Sequence, residues 1–276
     1  NLYDTIEMFL LDKDIPYLDT PAIPKVTILG TCYKSEKHIQ GFLENIVNQT
    51  IFDNCELIII NANSPENEED IILEYAKKYE NIVYKKLDYR AKTCECFNMG
   101  IEMSTGDYLT FGLVDDRRSN DCLEILSKHL FFSPDVDLVY GDCLQTDKEN
   151  ETFYENTSEG RIYEHSINQF SKQNMIKCLP GPMPLWRKKM NLDSGLFNIE
   201  HDFADDWEMW LRAVQNGCIF KKINETVGLY YAGGRSNQEE NLKQKQEEAK
   251  IFYQYAPLFG ANFHKYKPYF DQFLRS

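Results

Sequence analysis

The sequence lacks most of the short motifs by which enzymes are usually sorted. It has no Walker A loop, no GxGxxG after its first predicted strand, no HExxH and no GxSxG. Those absences remove the P-loop, dinucleotide-fingerprint, zinc-protease and nucleophile-elbow readings. Its five histidines show no ligand spacing. Basic charge is also scarce: 30 Lys and Arg face 44 Asp and Glu, a net charge of −14. A duplex nucleic-acid partner is excluded, because a phosphate backbone needs a basic face. A nucleotide is not, since a metal ion and local donors override a global field. No apolar run has the length of a membrane span and no signal peptide opens the chain. The cysteines at 32, 55, 94, 96, 122, 143, 178 and 218 include no CxxC pair. Several fall in apolar strands, the pattern of reduced, buried thiols in a cytoplasmic protein. The chain starts at Asn1 without methionine, so a piece of a longer, multidomain protein is expected.

What is present is a strand–helix alternation beginning at Lys25. Val26–Cys32 reads as a first strand, followed by a helix that Ser35 caps and that carries Ile39, Phe42, Leu43, Ile46 and Val47 at helical spacing. Glu56–Asn61 is a second strand, so continuously apolar that it belongs in a parallel sheet covered on both faces. Helices over 68–79, 93–104 and 121–132 alternate with strands over 81–87, 107–114 and 136–143. This rhythm predicts an α/β fold with right-handed crossovers and a mostly parallel central sheet flanked by helices. After about residue 145 the rhythm stops. A hairpin within 146–200, a helix over 205–216, strands over 218–223 and 226–231, and a long charged helix over 237–254 are expected. The expected organisation is an N-terminal extension over 1–24, a main domain over 25–235, and a C-terminal helix and tail over 236–276 packed on it. The main domain divides into a nucleotide-binding half, 25–145, and a mixed acceptor half, 146–235.

Two acidic doublets stand out. Asp115-Asp116 follows the fourth predicted strand, with Arg117-Arg118 adjoining. Carboxylates at the C-terminal end of a strand suit a hard divalent cation on a diphosphate, and equally suit a turn or a helix cap. Asp205-Asp206 opens the helix that continues Trp207-Glu208-Met209-Trp210. Acidic residues there are favoured by the helix dipole, while carboxylates beside buried aromatics also acquire the raised pKa of a general base. Asn61-Ala62-Asn63-Ser64 ends the second strand with groups able to read a base edge or to form a plain turn. Glu95 and Asn98 lie one helical turn apart and face one direction.

The order of several segments resembles the family 2 glycosyltransferases of the GT-A fold, a Rossmann-like nucleotide-diphospho-sugar transferase architecture. They are Lys25–Tyr33 with Asn48-Gln49-Thr50, Glu56–Ser64, Asn98-Met99-Gly100-Ile101 with Thr105–Tyr108, Val114-Asp115-Asp116, and Asp205–Arg212. The resemblance implies an inverting transfer from a nucleotide-diphosphate sugar, UDP-linked by preference, to a glycan, lipid-linked or protein hydroxyl. It implies Asp206 as general base with Asp205 in support, and Mn²⁺ or Mg²⁺ at Asp115 with Asp116. The implied donor-binding set is Thr31, Tyr33, Glu36, Asn61, Asn63, Ser64, Arg90, Glu95, Asn98, Val114 and Asp115. Gly181, Pro182, Met183 and Trp207 are implied on the acceptor or sugar side, and Arg235 on the diphosphate.

The chain departs from the family pattern in three places. Asn61 stands where Asp is usual, Leu113 where the first acidic residue of the metal motif is usual, and no His follows Tyr230-Tyr231. These departures motivate a second reading, a catalytically degenerate domain that binds nucleotide or sugar or acts as a scaffold.

Overall fold

The computed structural model describes residues 23–234 and 242–274. Eight strands form one sheet: β1 (Val26–Cys32), β2 (Cys55–Asn61), β3 (Ile82–Lys86), β4 (Tyr108–Gly112), β5 (Arg117–Arg118), β6 (Leu138–Thr146), β7 (Leu185–Arg187) and β8 (Phe220–Tyr231). Their order is β3-β2-β1-β4-β7-β6-β8-β5. The first four are mutually parallel, and all seven residues of β2 are buried, as its unbroken apolar run predicts.

The parallel rhythm breaks where β7 inserts antiparallel between β4 and β6, while β8 runs parallel to β6 and β5 antiparallel to β8. The fifth predicted strand is therefore not the next neighbour of the fourth. The two strands expected over 218–223 and 226–231 are one, β8, whose pairing with β6 shifts register around Asp142 instead of stopping. The hairpin expected within 146–200 reduces to an isolated antiparallel bridge, Leu144 to Ile162.

Helices cover both faces. Against one face, α1 (Glu36–Val47) and α4 (Cys122–Phe131) bury Ile39, Phe42, Leu43, Leu123 and Leu126 with Val26, Ile28 and Leu57. On the edge β2–β3, α2 (Glu68–Lys78) packs beside α1. The other face takes α3 (Thr93–Met103) and α6 (Asp205–Gln215), with the short α5 (Lys189–Ser194) beside α6. Phe111 at its centre touches Phe97, Trp186, Phe197 and Trp210, with ring centroids 4.8 to 5.9 Å apart. The same core continues into α7 (Leu242–Gln254), α8 (Ala256–Phe259) and α9 (Ala261–Leu274) through Phe252, Phe259 and Phe270. Trp207 stacks near Phe259 and Phe270, with ring centroids 6.4 Å from each, and donates its indole N–H to Met175 O at 2.8 Å. A close approach fixes one glycine: a Cβ on Gly228 of β8 would lie 2.0 Å from the Met183 sulfur.

No described helix is long and apolar enough to cross a membrane.

Candidate active site

β1 lies between β2 and β4, so the chain leaves the carboxyl ends of β1 and β4 in opposite directions across the sheet. Such a switch point opens a crevice, where ligands bind in α/β sheets. Half-buried Tyr33 follows β1, and half-buried Asp115 follows β4.

Around Tyr33 the backbone is tied by side chains. Lys34 N–H donates to Ser64 Oγ at 2.9 Å, and Ser35 N–H to Glu68 Oε1 at 2.6 Å. Ser64 Oγ also donates to Glu68 Oε1 at 2.8 Å, so Ser64 braces the loop instead of facing solvent. Ser35 does not cap α1 with its side chain; its Oγ accepts Tyr33 N–H at 3.1 Å. The Arg90 guanidinium stacks on the Tyr33 ring, 3.6 Å from its centroid. Thr31 is half-buried, Glu36 is exposed, and exposed Asn63 takes φ +58° and donates to Asp88 O at 3.2 Å.

Asn61, expected at the base edge, is fully buried. Its Oδ1 accepts Ser64 N–H at 2.8 Å and its Nδ2 donates to the Tyr84 hydroxyl at 3.0 Å. Both ends of the amide are thus used by the fold. Asn98 is likewise spent, and one carboxylate oxygen of Glu95 is. Glu95 accepts Lys92 N–H at 2.6 Å as the reciprocal half of a helix cap. Asn98 pairs with the Phe197 backbone in both directions, at 2.8 and 2.9 Å, tying α3 to the segment before α6.

The first doublet splits. Asp116 is buried; its Oδ1 accepts Tyr231 N–H at 2.9 Å, and its Oδ2 is enclosed without a hydrogen-bond donor among the described residues. Burial first, then the charge of Asp115, push its carboxyl well above the usual range. The adjoining arginines are not ligand-facing. Arg117 donates to Val114 O and Asp116 O at 2.9 and 2.7 Å, and Arg118 to Thr110 Oγ1 and Phe111 O. They brace the turn from within.

Asp115 remains half-buried, close to Gly234 at the end of the β8 segment. Among the described residues no three His, Cys, Asp or Glu gather into a cation cage. One open carboxylate fits an ion that a diphosphate also ligates, the usual situation of Mg²⁺, and does not fit an all-protein cage. Val114 packs partly into the core, and Arg235 lies outside the described residues.

The second doublet opens α6. Trp207, Trp210, Leu211 and Val214 face the core at helical spacing, which leaves Asp205 and Asp206 half-buried at the helix mouth. Asp205 lines an open cleft with Arg90, Lys92, Thr93, His201 and Asp202. Asp206 accepts Trp207 N–H at 2.6 Å through Oδ1 and the Cys178 thiol at 3.3 Å through Oδ2. Desolvation raises both carboxyls, Asp205 to about 7 with the charge of Asp206 as second cause. Hydrogen bonds from Cys178 and Trp207 oppose the rise in Asp206.

Gly181, Pro182 and Met183 are buried, with Met183 in the core beneath β8. The Trp207 ring is enclosed, so in this conformation it supports the doublet from behind instead of facing a sugar.

Two contributors have no signal in the sequence near the doublet. Cys178 comes from the irregular 146–200 segment. Glu247 comes from α7, where its carboxylate accepts Asp202, Phe203 and Ala204 N–H at 2.9, 3.0 and 2.7 Å.

The family model for Glycosyl transferase family 2 matches residues 27–193, more than half of the chain. The chain belongs to that family. This glycosyltransferase is 23% identical over 231 residues to an uncharacterized glycosyltransferase of Methanocaldococcus jannaschii, a match covering 83% of this chain and 77% of the relative. Its fold is that of Staphylococcus aureus TarS 1-349 in complex with UDP-GlcNAc, with TM-score 0.69 at 14% identity over 87% of this chain and 71% of that one. It also matches the mannosyltransferase PcManGT from Pyrobaculum calidifontis in complex with GDP-Man and Mn²⁺, with TM-score 0.68 at 16% identity over 95% and 75%. The mostly parallel sheet and its helical layers are thus the GT-A architecture that the ordered segments imply.

Proposed function

We propose that this glycosyltransferase moves a sugar from a nucleotide-diphosphate donor, UDP-linked by preference, to a hydroxyl of a glycan, lipid-linked or protein acceptor, inverting the anomeric carbon. The observation that carries the proposal is the Asp205–Asp206 pair, two half-buried carboxylates of raised proton affinity at the mouth of α6. A carboxylate of raised proton affinity is a better proton acceptor than an ordinary one.

Asp206 accepts the proton of the acceptor hydroxyl as its oxygen bonds to the anomeric carbon. The bond from that carbon to the diphosphate oxygen breaks, and its electron pair leaves with the nucleoside diphosphate. One displacement with one base inverts the centre. Asp205, facing the cleft, orients the acceptor beside the base. Tyr33 supplies an aromatic platform on which a base can stack in place of Arg90, freeing that guanidinium for phosphate. Asp115 would hold a divalent cation, which when bound neutralises charge on the departing diphosphate. Arg235, which follows Gly234 in sequence, is assigned to the same diphosphate by the family resemblance alone. The uridine preference is supported by the UDP-GlcNAc complex of TarS, while the GDP-Man complex of PcManGT makes guanine the competing base.

A degenerate, binding-only domain is the second reading, favoured by the internal use of the Asn61 amide and the absence of a carboxylate at Leu113. A thermal-shift panel of nucleoside diphosphates and nucleotide sugars, with and without Mn²⁺, identifies the donor. Donor-hydrolysis and transfer assays with NMR of the product anomer then decide. Transfer with an inverted anomer supports the enzyme, and binding without turnover across all donors supports the scaffold.

A further inference from the structure

α6 begins without a side-chain cap of its own, since its N-cap position is Ala204. The first amides of a helix have no intrahelical acceptor and must find one elsewhere. Here a carboxylate from 43 to 45 residues downstream takes the N-cap amide and the two amides before it. Glu247 Oε1 takes Ala204 N–H at 2.7 Å and Phe203 N–H at 3.0 Å, and Oε2 takes Asp202 N–H at 2.9 Å. Three consecutive amides are gathered on one carboxylate whose side chain is only 14% exposed. The residues held are those immediately before Asp205 and Asp206.

We propose that Glu247 is a positioning residue for the Asp205–Asp206 pair: its carboxylate fixes the backbone from which both side chains project and keeps a negative charge beside them. This rests on Asp206 being the base, as proposed above.

The charge matters because of what else faces the pair. From α3 comes the Cys94 thiol, and from the loop before it come Arg90 and Lys92, the latter paired with Asp202 at 2.7 Å. The 146–200 segment brings Cys178 and Tyr163. His201 has its Nδ1 3.7 Å from Glu247 Oε1. From α7, Glu248 adds a second carboxyl, held by Gln244 at 2.9 Å. Glu247 raises the proton affinity of both Asp205 and Asp206 by repulsion. With its three amide bonds it supplies charge and geometry together. A residue that only held α7 onto the core would do neither.

The test uses the full chain with ¹³C-labelled aspartate carboxyls. Glu247→Gln retains a side-chain oxygen for the amides and removes the charge. Its Asp205–Asp206 titration midpoints should fall by about 0.5 pH unit or more, with the acid limb of kcat/KM falling alongside. Glu247→Ala should lose about tenfold or more in kcat while nucleotide diphosphate affinity, read by calorimetry, stays within about threefold. Unmoved midpoints in folded Glu247→Gln overturn the proposal, even if Glu247→Ala does not fold. The carboxyl titration needs no turnover. Full activity in Asp206→Asn would therefore remove the base assignment while leaving the effect of Glu247 on the pair measurable.

Discussion

The Cys178 thiol donates to Asp206 Oδ2 across 3.3 Å, linking the irregular acceptor segment to the first turn of α6. A donor to the ionised form lowers a carboxyl's proton affinity, opposing the desolvation that raises it. Cys178→Ala should therefore move the acid limb of kcat/KM to higher pH, by up to about one unit. Cys178→Ser, with a stronger donor, should move it the other way. A pH–rate profile unchanged in both variants would contradict the proposed role of Asp206.

The raised pKa of Asp205 has a cost in stability. A native value near 7 against an unfolded value of about 3.9 means that the native state binds this proton more tightly. The associated stabilisation is full below the unfolded value and is lost as pH rises through the native one. Asp205→Asn cannot ionise, so its Tm should exceed that of the wild type at pH 8 and the gain should shrink toward pH 4. An equal gain at both pH values would assign the effect to packing instead of charge.

The first doublet should divide under mutation as it divides in space. Asp115→Ala removes a half-exposed carboxylate and should leave Tm nearly unchanged while abolishing the Mn²⁺ dependence of nucleotide diphosphate binding. Asp116→Ala removes the acceptor of Tyr231 N–H and leaves that amide unsatisfied, a loss of about 1–3 kcal/mol. Thermal melts and calorimetry with and without Mn²⁺ read the two effects separately.

Tyr33 carries Arg90 on its ring face, the surface assigned to the nucleobase. Tyr33→Ala should weaken nucleotide binding by about 1–3 kcal/mol, the usual worth of one stacked base. Asn98→Ala, which breaks the pairing with the Phe197 backbone, should lower Tm and leave nucleotide affinity almost unaltered. Calorimetry on both variants separates the binding residue from the brace.

The parallel half of the sheet was legible because β2 is almost continuously apolar, β1 and β4 are largely so, and helical periodicity separates them. β7 was not, since three residues after a Pro-rich turn carry no period, yet its insertion makes the sheet mixed. β8 was divided at Asn224-Glu225, where polarity suggested a break that a register shift accommodates. The polar residues singled out by position proved unequal. Asn61, Ser64, Glu95 and Asn98 share short polar chemistry with ligand-binding residues, and sequence cannot tell an amide used by the fold from one left open. Glu247 was illegible for a different reason: its partners are backbone amides in another element, which no local pattern encodes.

The central claim is that Asp206 takes the acceptor's proton. The direct measurement is single-turnover transfer by Asp206→Asn, using the donor found in the thermal-shift panel, beside calorimetric donor binding. We expect kcat to fall by about 10²–10⁴-fold with donor affinity within about threefold of the wild type. Retention of most turnover at equal donor affinity would contradict the account.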